Sequence, residues 1–247
     1  MSYTKFSAIY DRMIKDDIDY GRLCDFIENV FDMYGINPEI VADFACGTGG
    51  VTIPMAQRGY DMIGIDKSFD MLDIARNKAG NEGILFLNQD IAHSDLFGTV
   101  GAALCMTDGF NYILSDSVLV NALKRINTCF MDPGAVLIFD VSTKHKLQNV
   151  LGNNTFVYDT DKLFYTWENR YIEKKQLIEM NINFFEKKEK GYRRLREQQV
   201  QRARSADRIR KILEMAGFIN IKTFSSTEFA PEKNDAERLW FTAQKGV

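Results

Sequence analysis

Between Tyr3 and Tyr34 apolar side chains recur at helical spacing (Phe6, Ile9, Tyr10, Met13; then Leu23, Phe26, Ile27, Val30, Phe31). The pattern predicts two amphipathic helices, parted near Asp19 and Gly21. Past Gly35 and Pro38 the pattern changes to short apolar runs alternating with amphipathic segments. Strands are predicted at 40–45, 60–65, 84–87, 100–106 and 135–141. Helices are predicted from the glycine turn after residue 45 through Arg58, from Ser68 as N-cap to Ala79, and from Ser115 to Phe130, with Val118, Leu119, Leu123 and Ile126 on the buried face. Pro133-Gly134 reads as the turn into the fifth strand. This alternation implies parallel pairing with right-handed crossovers, an α/β doubly wound sheet.

After Lys144 the pattern changes. Residues 163–172, 177–185 and 192–203 are β-prone runs separated by charged turns. In the second, Ile178, Met180, Ile182 and Phe184 alternate with Glu179, Asn181 and Asn183. A small antiparallel β-sheet inserted after the fifth strand is expected over 146–203, which divides the core into 1–145 and 204–247. Ser205 then caps a helix carrying Ile209, Ile212, Leu213 and Ala216, and strands at 218–224 and 238–243 bring the main sheet to seven.

The 247 residues hold 31 Lys+Arg against 34 Asp+Glu, a net charge of −3, with 45% hydrophobic residues. That balance fits one globular core with an elaboration. Cys24, Cys46, Cys105 and Cys129 form no C-x-x-C, and the two histidines, His93 and His145, stand far apart. A zinc site or disulfide scaffold is not indicated, and no metal is expected. Without an apolar leader or an eighteen-residue apolar stretch, the chain reads as cytoplasmic, with reduced thiols.

The candidate chemistry starts at Ala45-Cys46-Gly47-Thr48-Gly49-Gly50, where glycine lets backbone approach a ligand at a strand's carboxyl end. A tight turn with no ligand is the plain alternative. Asp43 inside the strand and Asp66 ending the next add carboxylates, the second suited to ribose hydroxyls. In the dinucleotide fingerprint G-x-G-x-x-G the third small position falls on Thr52, so a ligand lacking a pyrophosphate fits better.

The run VADFACGTGG (41–50) resembles motif I of class I S-adenosylmethionine-dependent methyltransferases. Asp66 resembles their ribose-binding acid, and Asp90 in LNQDIA (87–92) the residue that reaches the adenine amino group, with Ile91 packing on the ring. The resemblance implies a Rossmann-like fold and S-adenosyl-L-methionine as cofactor. The cofactor-binding set it implies is Tyr10, Asp43, Ala45, Cys46, Gly47 and Gly49, with Asp66, Lys67, Met71, Asp90, Ile91 and Met106. A narrower resemblance, in Tyr3, Phe6, Tyr10 and Asp11, in Trp167 to Asn169, and in Glu197 with Arg202, is to bacterial small-molecule methyltransferases, among them amino-sugar N-methyltransferases. That group often has His where this chain has Gln199 and an aromatic where it has Arg204, departures that bear on the substrate.

Methyl transfer needs orientation and exclusion of water more than a dedicated triad. Beyond the fourth strand Asp108, Asn111 and Tyr112 are the catalytic candidates, each with a capping or packing alternative. Gly109-Phe110-Asn111-Tyr112 lacks the prolines of the [DNS]-P-P-[YF] pattern in methyltransferases acting on DNA adenine or protein glutamine. Lysines flank His145, which suits a solvated loop. Tyr165, Trp167 and Tyr171 share a strand face, and Trp167 is the substrate-pocket candidate among them.

Residues 187–211 hold eleven Lys/Arg against three acids, giving +8 and leaving −11 for the rest. The rival reading is an RNA methyltransferase or a non-enzymatic nucleic-acid binder using this stretch. A solvated charged face is the plain alternative, and an anionic small-molecule substrate lies between. A small-molecule acceptor is the leading expectation, whether methylated on nitrogen, oxygen or carbon.

Overall fold

The computed structural model describes residues 11, 18–160 and 163–246. Helix α1 (Tyr20–Tyr34) starts at Asp19, whose carboxylate accepts from the Arg22 amide, and ends where Gly35 turns left-handed. The first predicted helix lies outside the described residues. Then follow β1 (Ile40–Phe44), α2 (Thr52–Gln57), β2 (Asp61–Asp66), α3 (Phe69–Ala79), β3 (Leu85–Asn88), β4 (Val100–Cys105), α4 (Asp116–Arg125) and β5 (Met131–Ser142). Strands β6 (Thr155–Asp159), β7 (Leu163–Ile172), β8 (Leu177–Lys188) and β9 (Gly191–Arg202) come next, then α5 (Ala206–Met215), β10 (Phe218–Phe224) and β11 (Arg238–Lys245).

The main sheet has the order β10-β11-β5-β4-β1-β2-β3. β1 to β5 pair in parallel, while β11 runs antiparallel to both β5 and β10. Side-chain alternation divides the core between the two faces. Ala42, Phe44, Ala103, Leu137 and Phe139 face Leu119, Leu123, Ile209, Ile212 and Leu213 of α4 and α5. Val41, Ala102, Leu104, Val136 and Ile138 face Leu23, Ile27, Val30 and Met55 of α1 and α2. The sequence order reverses between β1 and β4, so a crevice opens at their carboxyl ends.

The second sheet, β6-β7-β8-β9, is an antiparallel meander. Ile178, Met180, Ile182 and Phe184 are all buried, as the two-residue period predicts. Three features differ from the sequence reading. β6 was not predicted, since its residues are mostly exposed. β5 begins at Met131: Met131 pairs with Val100 and Val136 with Ala102, so Pro133 and the left-handed Gly134 sit in a bulge. The helix expected to reach Phe130 changes at Ile126 to a wider π-turn, in which Ile126, Asn127 and Phe130 are buried. No helix among the described residues is long and apolar enough to cross a membrane.

Candidate active site

A cavity of about 640 Å³ occupies the crevice, within the roughly 300–1,000 Å³ usual for small-molecule sites. One half is bounded by the ends of β1, β2 and β3: Asp43, Ala45, Cys46 and Gly47, then Asp66, Lys67 and Met71, then Asp90 and Ile91. The other half is bounded by Met106 and Thr107 after β4, by residues 112–115 and 118, and by Gln198, Gln199 and Val200 of β9. The inserted sheet therefore closes the crevice from above.

Local geometry explains the glycine turn. Asp66 accepts from the Gly47 amide (2.9 Å) through one oxygen and from the Ser68 amide (2.8 Å) through the other. Gly47 has φ +55°, and a Cβ there would meet nothing within 4 Å, leaving the turn open on the cavity side. Gly49 does not line the cavity. At φ +78°, its Cβ would meet Ile53 Cδ1 at 2.9 Å, so it permits close packing of α2. Gly50 likewise receives the Tyr20 ring, and Tyr20 is a cavity residue that the sequence pattern does not single out.

Asp43 is buried and accepts from Thr52 Oγ1 at 2.6 Å. Burial pushes its carboxyl up to about 7, the Thr52 hydrogen bond opposes this, and the nearby Asp66 charge adds to it. Burial also raises Asp66 against the pull of its two amide donors. Cys46 and Cys105 are driven well above the ordinary thiol range, first by burial and then by Asp43 and Asp66. Neither thiol is a nucleophile at neutral pH.

Residues 41–134 match the methyltransferase-domain family. The whole chain is 31% identical to an S-adenosylmethionine-dependent methyltransferase from Clostridium acetobutylicum ATCC 824, covering 99% of each chain with a TM-score of 0.90. The chain belongs to the S-adenosylmethionine-dependent methyltransferases. The Bacillus subtilis (strain 168) protein YqeM is 28% identical over 248 residues, 99% of this chain and 98% of its own. At 14% identity and TM-score 0.77, CalS10, an amino pentose methyltransferase from Micromonospora echinaspora, shares the fold over 96% of both chains.

The methyltransferase's own residues fit this cofactor and disfavour a dinucleotide. A pyrophosphate sits on free turn amides over a third small residue, whereas here the Gly47 amide is given to Asp66 and Thr52 stands at the third position. Asp66 keeps one further lone pair on each oxygen for ribose hydroxyls. Asp90 caps the next turn by accepting from the Ala92 amide (2.9 Å). His93, to which the sequence reading gave no role, also lines this half.

Of the acceptor-side candidates, only Tyr112 lines the cavity. Its hydroxyl donates to Gln199 Oε1 at 2.9 Å, a contact from the core to the inserted sheet. Asp108 is instead drawn into an ionic network. Arg238 grips both its oxygens (2.7 and 3.3 Å), Ser142 Oγ donates to it (2.9 Å), and Arg238 also pairs with Asp140. Asp140 accepts from the amides of Thr107 (2.5 Å) and Asp108 (3.2 Å), both in left-handed conformation. Asn111 is buried: its Nδ2 donates to the Ser142 and Arg202 carbonyls and its Oδ1 accepts from the Ser142 amide.

Trp167 stands away from the cavity lining. It packs on Phe156 (5.7 Å between ring centres) and bridges the apolar cluster containing Met71 to that containing Leu147. An aromatic on a half-buried strand carries the same sequence signal whether it lines a pocket or backs its wall. Tyr10 lies outside the described residues. Val118, expected in the core, is exposed at the cavity mouth.

The basic stretch is distributed over separate partners. Arg193 and Lys188 pair with Glu186, and Arg194 lies over the Phe185 ring. Arg204, buried, shares Asp116 with Arg208, and Arg210 pairs with Asp207 and Glu232. Arg204 also donates to the Phe110 and Ile113 carbonyls, fastening the acceptor-side turn to the start of α5.

Proposed function

We propose that the protein transfers a methyl group from S-adenosylmethionine to a small-molecule acceptor in this cavity. The observation that carries the reading is the continuity of the cofactor half with an acceptor half roofed by Gln198, Gln199 and Val200, in one space of about 640 Å³. The amino pentose substrate class of CalS10, together with the shared fold, supports a small molecule. Residues 1–145 and 204–247 form the cofactor-binding body on this reading, and 146–203 the acceptor-side insertion.

When bound, the cofactor supplies a methyl carbon on a sulfonium with a neutral thioether as leaving group. Asp43, the turn from Ala45 to Gly47, and Asp66 hold the amino-acid and ribose portions. Lys67, Met71, Asp90 and Ile91 would enclose the adenine, and Met106, lining the cavity after β4, would complete the cofactor's site. Tyr112 touches the acceptor. Asp108 and Asn111 act as positioning residues, fixing the turn that carries Thr107 and Tyr112. β9 excludes water, which strengthens every polar contact inside. No residue is assigned as general base.

Thermal denaturation with and without S-adenosylmethionine tests the site. The wild type melts higher with the cofactor, and Asp66→Ala loses the rise while keeping the fold; no rise in the wild type sinks the reading. S-adenosylhomocysteine release over panels of amines, sugars and acids then identifies the acceptor.

A further inference from the structure

Charge is distributed unequally along the cavity wall. Among the described residues, every lining side chain with an acid, ammonium or imidazole group (Asp43, Asp66, Lys67, Asp90, His93) belongs to the ends of β1, β2 and β3. The acceptor half offers neutral hydrogen-bonding groups on Thr107, Tyr112, Ser115, Gln198 and Gln199, beside the apolar Ile113, Leu114, Val118 and Val200. The nearby cations turn elsewhere: Arg204 is held by Asp116 and two carbonyls, and Arg202 donates to the Lys175 carbonyl.

The mouth of this half is apolar as well. Tyr112, Leu114 and Val118 are 38%, 39% and 40% exposed, and all three line the cavity. Large apolar side chains clustered at the rim of a pocket mark a surface that a ligand covers. They come from the turn after β4 and the first turns of α4, next to the neutral wall of β9.

We infer that the acceptor is an uncharged molecule with two parts: a hydrogen-bonding hydroxyl or neutral amine held near Tyr112 and Gln199, and an apolar arm lying against Leu114, Val118 and Val200. A phosphorylated acceptor would lose its hydration against a wall that, among the described residues, has no cation to replace it, and the cost of an unpaired buried charge is large. An ammonium acceptor would meet no carboxylate among the described residues of this half and would have no lone pair for the methyl carbon. The inference rests on the methyltransferase reading and narrows its substrate class.

The test uses the full chain saturated with S-adenosylhomocysteine and measures binding of 4-propylphenol, 4-propylaniline and 4-propylphenyl phosphate by calorimetry. Uncharged probes are expected to bind at least about tenfold tighter than the phosphate ester. Val118→Asp should weaken 4-propylphenol by about tenfold or more with S-adenosylhomocysteine binding unchanged, which also shows that the variant folds. Val118→Arg should bring the phosphate ester up towards the phenol. Phosphate binding equal to phenol binding in the wild type, an unaltered phenol affinity in Val118→Asp, or no binding of either uncharged probe to protein that takes up S-adenosylhomocysteine overturns the inference while leaving the cofactor site intact. Failure of S-adenosylhomocysteine itself to bind overturns the methyltransferase site and the inference together.

Discussion

Asp43 shows how one carboxyl records its surroundings. Its position in an apolar strand before a glycine turn was visible in the sequence, but the shift to about 7 comes from complete burial beside Asp66. A folded-state value above the unfolded one means the native protein holds the proton more tightly. This group's contribution to stability is therefore present below about pH 4 and is lost as pH rises to about 7. At roughly 1.4 kcal/mol per unit the loss amounts to a few kcal/mol. In cofactor-free protein, the melting temperature of Asp43→Asn should gain on the wild type as pH rises from about 5 to about 8; a constant difference across that range rejects the shift. The glycines separate in a similar way. Gly49→Ala should cost about 1–3 kcal/mol in denaturant titrations, from its left-handed backbone and the close Ile53 contact. Gly47→Ala should cost about 1–2 kcal/mol, with its larger effect on cofactor affinity in calorimetry, because its Cβ would project into open cavity space.

At the scale of elements, the turn between β4 and α4 carries one wall of the cavity, and strands distant in sequence hold it. Thr107 and Asp108 adopt positive φ, a conformation costing non-glycine residues roughly 1–2 kcal/mol each. Asp140 on β5 and Arg238 on β11 supply the compensating hydrogen bonds and ion pairs. Removing the guanidinium with Arg238→Met leaves the buried Asp140 and the half-buried Asp108 with hydrogen-bond donors but without their cation, and chemical denaturation should show a loss of about 3 kcal/mol. The sequence named Asp108 and Asn111 because they follow β4, and it could not reveal that both are engaged by β5, β9 and β11. β8 was legible from alternation, β7 and β9 as β-prone runs between charged turns, and α3 and α5 from their caps, because those signals are local. Ser68 accepts from the Met71 amide and Ser205 from the Arg208 amide, as the N-cap pattern implies. Val118 misled the pattern because it lies at the edge of the buried stripe on α4, where helical spacing alone does not say whether another element will cover it.

Across the whole molecule, a net charge of −3 conceals a +8 stretch, and tertiary pairing decides what that stretch does. Among its arginines, Arg193 meets Glu186, Arg204 and Arg208 meet Asp116, and Arg210 meets Asp207 and Glu232, acids contributed by separate elements. A phosphate-tracking groove needs its cations aligned along one face. Filter binding with single-stranded or duplex RNA at about 0.15 M salt should therefore show no measurable affinity, and salt-sensitive binding that persists there would restore the nucleic-acid reading. The sequence by itself determined the doubly wound core, the inserted antiparallel sheet and the glycine turn at the end of β1. Each depends on periodicity, caps and glycines that lie within a few residues of a strand end. Only the tertiary structure decided which residues line the other half of the cavity, because that half is assembled from the turn after β4, the start of α4 and β9. Residues that far apart in sequence share no periodic pattern, and their meeting is set by sheet order and packing. The same distance explains why Trp167 lies behind the wall, Asp108 in an ion network, and Gln199 against Tyr112.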